Sequence, residues 1–225
     1  TAVAGSGTIQ VTGSTLAAGT SGTISVDVLP TTLGSFVATT GDLTSVNGNS
    51  GTATDTLTVN EAPSLVVTTT DDDVDPFDGE TTLREAITYA MTLGGTPEVT
   101  FSNVTTDGAV DFYDGNPKTI TLAGAALPTI DNPVSILGPG ADVLAISGNN
   151  TSQIFIFDAN DIIVSDLTLT NGRAVGFPSG QGGAIRQLSG GSMLSRCQIT
   201  NNVADAFGGA ILSDVGSMII SDCTL

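Results

Sequence analysis

Apolar and polar residues alternate in two runs of the first quarter of the chain, Thr23-Ile24-Ser25-Val26-Asp27-Val28 and Ala53-Thr54-Asp55-Thr56-Leu57-Thr58-Val59. Period two with β-branched residues predicts half-buried antiparallel strands, because successive strand side chains point to opposite faces. Gly19, Gly22, Gly34, Gly41, Gly48 and Gly51 lie outside these runs and supply turns. Residues 1–60 are thus expected to form a partial antiparallel β-sandwich, with about four strands where a whole one has about seven. Residues 61–64 read as a linker, since Pro63 cannot donate to a strand ladder.

A different period follows. Thr82-Leu83-Arg84-Glu85 has the spacing of a capping box, in which the Thr hydroxyl accepts from the amide three residues on and Glu reaches back. Leu83, Ile87, Ala90 and Met91 then make one apolar stripe at helical spacing. The pattern predicts a helix from Leu83 to about Leu93, stopped by Gly94-Gly95.

From about Val99 onward, short apolar strands such as Val134-Ser135-Ile136-Leu137 and Ile162-Ile163-Val164 are separated by Gly, Asn, Asp and Pro. Gly182-Gly183-Ala184-Ile185 recurs as Gly208-Gly209-Ala210-Ile211, and Cys197 recurs as Cys223, each 26 residues on. Ser192-Met193 recurs as Ser217-Met218 at 25, which implies a one-residue insertion between the copies. Asp166-Leu167-Thr168-Leu169-Thr170-Asn171 matches Arg196-Cys197-Gln198-Ile199-Thr200-Asn201 at an offset of 30. Repeats of this length with strands and almost no helix mean a β-solenoid. At about 25 residues per coil, the region from about Val99 to Leu225 holds roughly five coils, with the helix before it capping their open end, so that residues 65–225 read as one capped solenoid. Gly182, Gly183, Gly208 and Gly209 suit tight corners, Asn171, Asn201 and Asn202 suit left-handed ones, and Ile185, Ile199, Ile211, Cys197 and Cys223 suit the inner column.

Composition narrows function. The chain has 225 residues, 23 acidic and 5 basic, with no His, no Trp and 2 Cys. A net charge of −18 argues against nucleic acid, which needs clustered Lys and Arg. Without His, Ser-His-Asp and Cys-His mechanisms and His-containing zinc sites are excluded. No apolar run reaches the roughly 18 residues of a membrane-spanning helix. No secretory leader opens the chain, and both ends read as cut through strands, so the expectation is a segment of a longer exported protein. Acidic, Thr/Gly/Asn-rich, Lys-poor composition suits the bacterial cell surface or extracellular space.

Several stretches resemble known families. Leu65-Val66-Val67-Thr68-Thr69-Thr70 with Asp78-Gly79-Glu80-Thr81-Thr82-Leu83-Arg84-Glu85-Ala86-Ile87 resembles the opening segment of bacterial surface proteins of the CSLREA type, with Thr81-Thr82 in place of Cys-Ser. The two Gly-Gly-Ala-Ile copies, with Cys197, Ile199 and Asn201 after the first, resemble polymorphic outer-membrane-protein repeats. Residues 1–60 look like the back half of an immunoglobulin-like repeat. These likenesses imply an all-β chain, a right-handed parallel β-helix of the pectin-lyase-like kind after the partial sandwich, in proteins that are often adhesins or surface stalks and sometimes cut polysaccharides.

The candidate chemistry is sparse. Asp71, Asp73, Asp75, Asp78 and Glu80 offer oxygen ligands for Ca²⁺ in a short loop with Gly79. The same carboxylates also suit a solvated loop beside the positive start of the helix. Cys197 and Cys223, one coil apart, suit buried free thiols or a disulfide formed on export. Of the basic residues on the solenoid, Arg173, Arg186, Arg196 and Lys118, the three arginines, with Asp166, are the best candidates to grip and process an acidic sugar. The leading expectation is a non-enzymatic adhesin or stalk module that meets a surface carbohydrate or protein ligand. The alternative is a polysaccharide lyase or glycoside hydrolase working in a β-helix groove.

Overall fold

The computed structural model describes residues 20, 23, 28–42, 44–45, 48–176 and 180–225. The chain divides into two compact units, Thr1–Val59 and Asn60–Leu225. In the first, strand Gly34–Thr39 pairs antiparallel with Thr54–Val59, from Gly34 opposite Val59 to Thr39 opposite Thr54. Thr44–Ser45 pairs with Gly48–Asn49 in the connection between them. Phe36 lies opposite Leu57, and both are exposed. The expected strand at Thr23–Val28 falls outside the described residues, apart from Thr23 and Val28 themselves.

The second unit is a parallel β-helix of about four turns. Its first face stacks six strands: Val66–Val67, Glu98–Phe101, Val134–Leu137, Ile162–Ser165, Gly191–Ser195 and Ser217–Ser221. The second stacks Lys118–Thr121, Leu144–Ser147, Thr168–Thr170 and Gln198–Thr200. The third stacks Phe155–Asp158, Ile185–Ser189 and Ile211–Ser213. There are fewer turns than the expected five because the coils nearest the helix are long. Val99 pairs with Ile136, and the chain between them carries a 3₁₀ turn and long loops as well as the strand Lys118–Thr121.

Register explains the core. On the first face Val99, Ile136, Val164 and Leu194 align and all are buried, with Ile220 next in the column. On the second, Ile120, Ile146, Leu169 and Ile199 do the same. Each buried aliphatic side chain contributes roughly 2 kcal/mol of transfer free energy, and stacking makes the contributions contiguous. Small hydroxyl residues and one amide, Gln187, are the buried polar residues among those described. Gln187 is fully buried, accepts from the Ser192 hydroxyl and donates to the carbonyls of Gly190 (3.1 Å) and Ser217 (3.3 Å). Its polar atoms are thus satisfied, as burial demands.

The same register corrects the repeat alignment. Ser192 lies against Met218 and Met193 against Ile219, so this face keeps the 26-residue step of Cys197 and Cys223 without an insertion. The shared Ser-Met dipeptide is a coincidence one residue out of step. A one-residue slip exchanges inside for outside in a strand. Met218 accordingly packs toward the core while Ile219 is exposed.

The helix spans Leu83–Ala90 and buries Leu83, Ala86, Ile87 and Ala90. Thr82 caps it: its hydroxyl accepts from the Glu85 amide (3.2 Å), and the Glu85 carboxylate accepts from the Thr82 amide (2.9 Å). The helix ends earlier than Leu93 because its last turn tightens. The amides of Thr92 and Leu93 donate three residues back, to Tyr89 and Ala90. Among the described residues no helix is long and apolar enough to cross a membrane.

Candidate functional site

The acidic stretch folds so that its carboxylates diverge. Asp72, absent from the expected ligand set, is the one that is buried; its side chain is 2% exposed. It accepts from Arg84 through both oxygens (3.1 and 2.8 Å) and from the Ala123 amide (2.8 Å). Arg84 also donates to the carbonyls of Ala126 (2.7 Å) and Ala125 (3.1 Å). One bidentate pair thus joins the loop, the helix and a distant connection. Of the expected calcium ligands, Asp71 and Asp73 border a shallow hollow with Thr119 and Thr121. Asp75 and Asp78 instead accept from the amides of Phe77 (3.0 Å) and Glu80 (2.8 Å), closing local turns. Glu80 points toward Gly108. Among the described residues no group of three or more Asp, Glu, Cys or His could hold a metal ion.

The arginines are not gathered either. Arg173 lies on a short strand, Arg173–Ala174, and pairs with Asp205 at 2.6 Å. Arg186 lies on the third face and pairs with Asp214 at 2.8 Å. Arg196 sits at the corner between the first two faces and grips Asp166, one coil back, through two bonds of 2.7 and 2.6 Å. Those bonds hold the Asp166 carboxyl below its usual range and the Arg196 guanidinium above its own. Asp166 and Arg196 share left-handed backbone, with φ of 58° and 50°. A single corner therefore carries the one candidate pair that does meet, as a closed ion pair. Arg84 and Lys118 are paired as well, with Asp72 and Asp114. All 5 basic side chains are thus committed to aspartates.

Cys197 and Cys223 stack on successive coils as free thiols; the Cys197 amide points at the Cys223 sulfur at 3.3 Å. Burial pushes the Cys197 thiol up to about 11, so it is a poor nucleophile. Gly182 and Gly208 occupy the expected tight corner with φ of 66° and 61°. The amides of Gly183 and Ala184 donate to the carbonyls of Gly209 and Ala210 on the next coil. Asn171 and Asn201 have φ of 52° and 57°. Asn202 bridges coils, accepting from the Gly172 amide (2.7 Å) and donating to the Leu169 carbonyl (3.0 Å).

One feature lies in the stretch read as a linker. The Glu61 amide donates to the Pro76 carbonyl (2.9 Å), which folds residues 60–64 against the acidic loop. Between them and the helix is a cavity of about 310 Å³, walled by Pro63, Val74, Pro76 and Tyr89 and edged by Glu61 and Glu85. Burial, then the charges of Glu85, Asp78 and Asp75, push the Glu61 carboxyl up to about 7, against a hydrogen bond from the Gly79 amide. Nothing local in Glu61-Ala62-Pro63-Ser64 signals this, because the facing walls, Val74, Pro76 and Tyr89, come from two other segments.

A family profile described as a domain of unknown function, DUF7933, matches residues 1–59. Its bounds coincide with the first compact unit. No curated protein and no solved structure matches the chain.

Proposed function

We propose that the chain is a non-enzymatic module of a bacterial cell-surface or secreted protein, in which the β-helix serves adhesion or spacing. In this reading, residues 1–60 belong to an immunoglobulin-like repeat, and the Gly-Gly-Ala-Ile coils are surface-protein repeats that meet a carbohydrate or protein ligand. The observation that carries it is the pairing of every basic side chain with an aspartate. A lyase or hydrolase for acidic sugars needs cations converging where substrate carboxylates sit. Here an incoming carboxylate must displace aspartates already at 2.6–2.8 Å, on separate parts of the coil. The test is incubation with acidic and neutral polysaccharides, with and without Ca²⁺, assayed for new reducing and unsaturated ends alongside pull-down on bacterial cells. Binding without release is the expected result. Release that vanishes in Arg173→Gln, Arg186→Gln or Arg196→Gln overturns the reading in favour of an enzyme.

A further inference from the structure

We propose that the cavity between Glu61 and Tyr89 is a binding site for a small alkylammonium ion. The proposal is independent of the surface-module reading, since the cavity lies at the cap rather than on the coils. Its volume of about 310 Å³ lies at the lower end of small-molecule sites, which begin near 300 Å³ and are mostly apolar with a few placed polar groups. Pro63, Val74, Pro76 and Tyr89 supply that lining. Val74 is 65% exposed, an apolar side chain that a ligand's hydrocarbon would cover.

Charge selects the head group. Glu61 and Glu85 edge the cavity, and Asp75 and Asp78 act on Glu61 through space. Every basic side chain of the protein is paired elsewhere, so no internal cation answers this negative potential. A bare metal ion fits poorly, because no three ligands converge among the described residues and apolar walls cannot replace its hydration. An ammonium on a short alkyl stem fits both features: the head meets the carboxylates, and the stem meets the prolines, Val74 and the aromatic wall.

Proton balance follows. In the empty cavity Glu61 is half-protonated near pH 7, owing to burial and to Glu85, Asp78 and Asp75. A bound cation favours its ionised form, so binding releases a proton to solvent, and affinity rises with pH.

The test uses the full chain, with n-butylammonium as probe and 1-butanol as its neutral counterpart, titrated by calorimetry at pH 6 and pH 8. The expected result is saturable n-butylammonium binding about tenfold tighter at pH 8, the ratio of ionised Glu61 across that interval. 1-Butanol should bind at least about tenfold more weakly. Glu61→Gln should weaken the probe at pH 8 by about tenfold and remove the pH dependence. Wild-type titration in two buffers of different ionisation enthalpy should show proton release at pH 6, which needs no variant to fold. The proposal is overturned by absence of saturation at both pH values, by equal binding of 1-butanol, by zero proton release, or by a folded Glu61→Gln chain that behaves as wild type.

Discussion

In the coils, contacts come in copies. Gly183 to Gly209 and Ala184 to Ala210 are the same hydrogen bond one residue apart, and the inner columns repeat a buried aliphatic residue at each rung. At the cap, contacts are unique. The Asp72–Arg84 pair, the Thr82–Glu85 box and the Glu61 amide on Pro76 occur once each. The difference lies in how each region tolerates loss. A coil has neighbours on both sides, so damage is shared along a nearly one-dimensional stack. The cap joins segments far apart in sequence through single bonds, with no second copy to take over.

The largest expected effect tests the coils where they cannot bend. Gly182→Ala places a Cβ 2.2 Å from the Ile185 carbonyl oxygen at a φ of +66°, and strain plus overpacking should cost about 4 kcal/mol in chemical denaturation. The same change at Gly209, where a Cβ meets nothing within 4 Å, should cost less than about 1 kcal/mol. Equal losses at both positions would show that corner geometry is not the determinant. Next comes the cap. Asp72→Ala strands Arg84 with its two carbonyl partners alone and should cost about 2–3 kcal/mol. Thr82→Ala removes the hydroxyl acceptor for the Glu85 amide and should cost about 1 kcal/mol. Arg196→Gln opens a pair whose arginine is 59% exposed and should cost at most about 0.5 kcal/mol. If Arg196→Gln costs more than Asp72→Ala, the ranking of cap over coil surface is wrong.

pH sharpens the contrast further. The folded Glu61 carboxyl sits at about 7 against an ordinary 4.5. Between those values the folded chain holds the extra proton, so this group's contribution falls as pH rises through the window and stays low above it. Melting curves from pH 5 to 8 should therefore decline more in wild type than in Glu61→Gln, by about 1 kcal/mol once solvent screening of a partly exposed group is allowed for. Identical slopes would remove Glu61 from the account. The smallest effect concerns metal. With Asp75 and Asp78 closing turns, a chelator should leave the melting temperature unchanged, and a drop on adding EDTA would restore the calcium reading.

What was legible in the sequence follows the range of the interactions. The helix start was legible because Thr82 and Glu85 are three residues apart and carry their own geometry. The parallel β-helix was legible because copies announce themselves. The Ser-Met pair misleads on register, because two identical residues stand out more than the inside-outside pattern that holds Met218 inward. Arg196 at a left-handed corner could not be foreseen, since arginine carries no preference for that conformation; its column neighbours Asp166 and Asp222 share the geometry. The Asp72–Arg84 pair and the Glu61 cavity were hidden for a third reason. Both depend on how a loop returns, and five nearby acids of similar appearance gave no local ground for singling out Asp72.

The bonds from Gly183 to Gly209 and from Ala184 to Ala210 run from coil to coil, parallel to the long axis of the helix. A force applied along that axis therefore meets them end-on and in sequence, as in opening a zipper, instead of loading many at once in shear. The last coil, of 26 residues, lengthens the chain by about 80–90 Å when it detaches to full extension, and the longer coils behind it by more. Pulled between its ends, the β-helix should yield in a staircase of small steps, dissipating a tug one coil at a time and rewinding from the coils that remain.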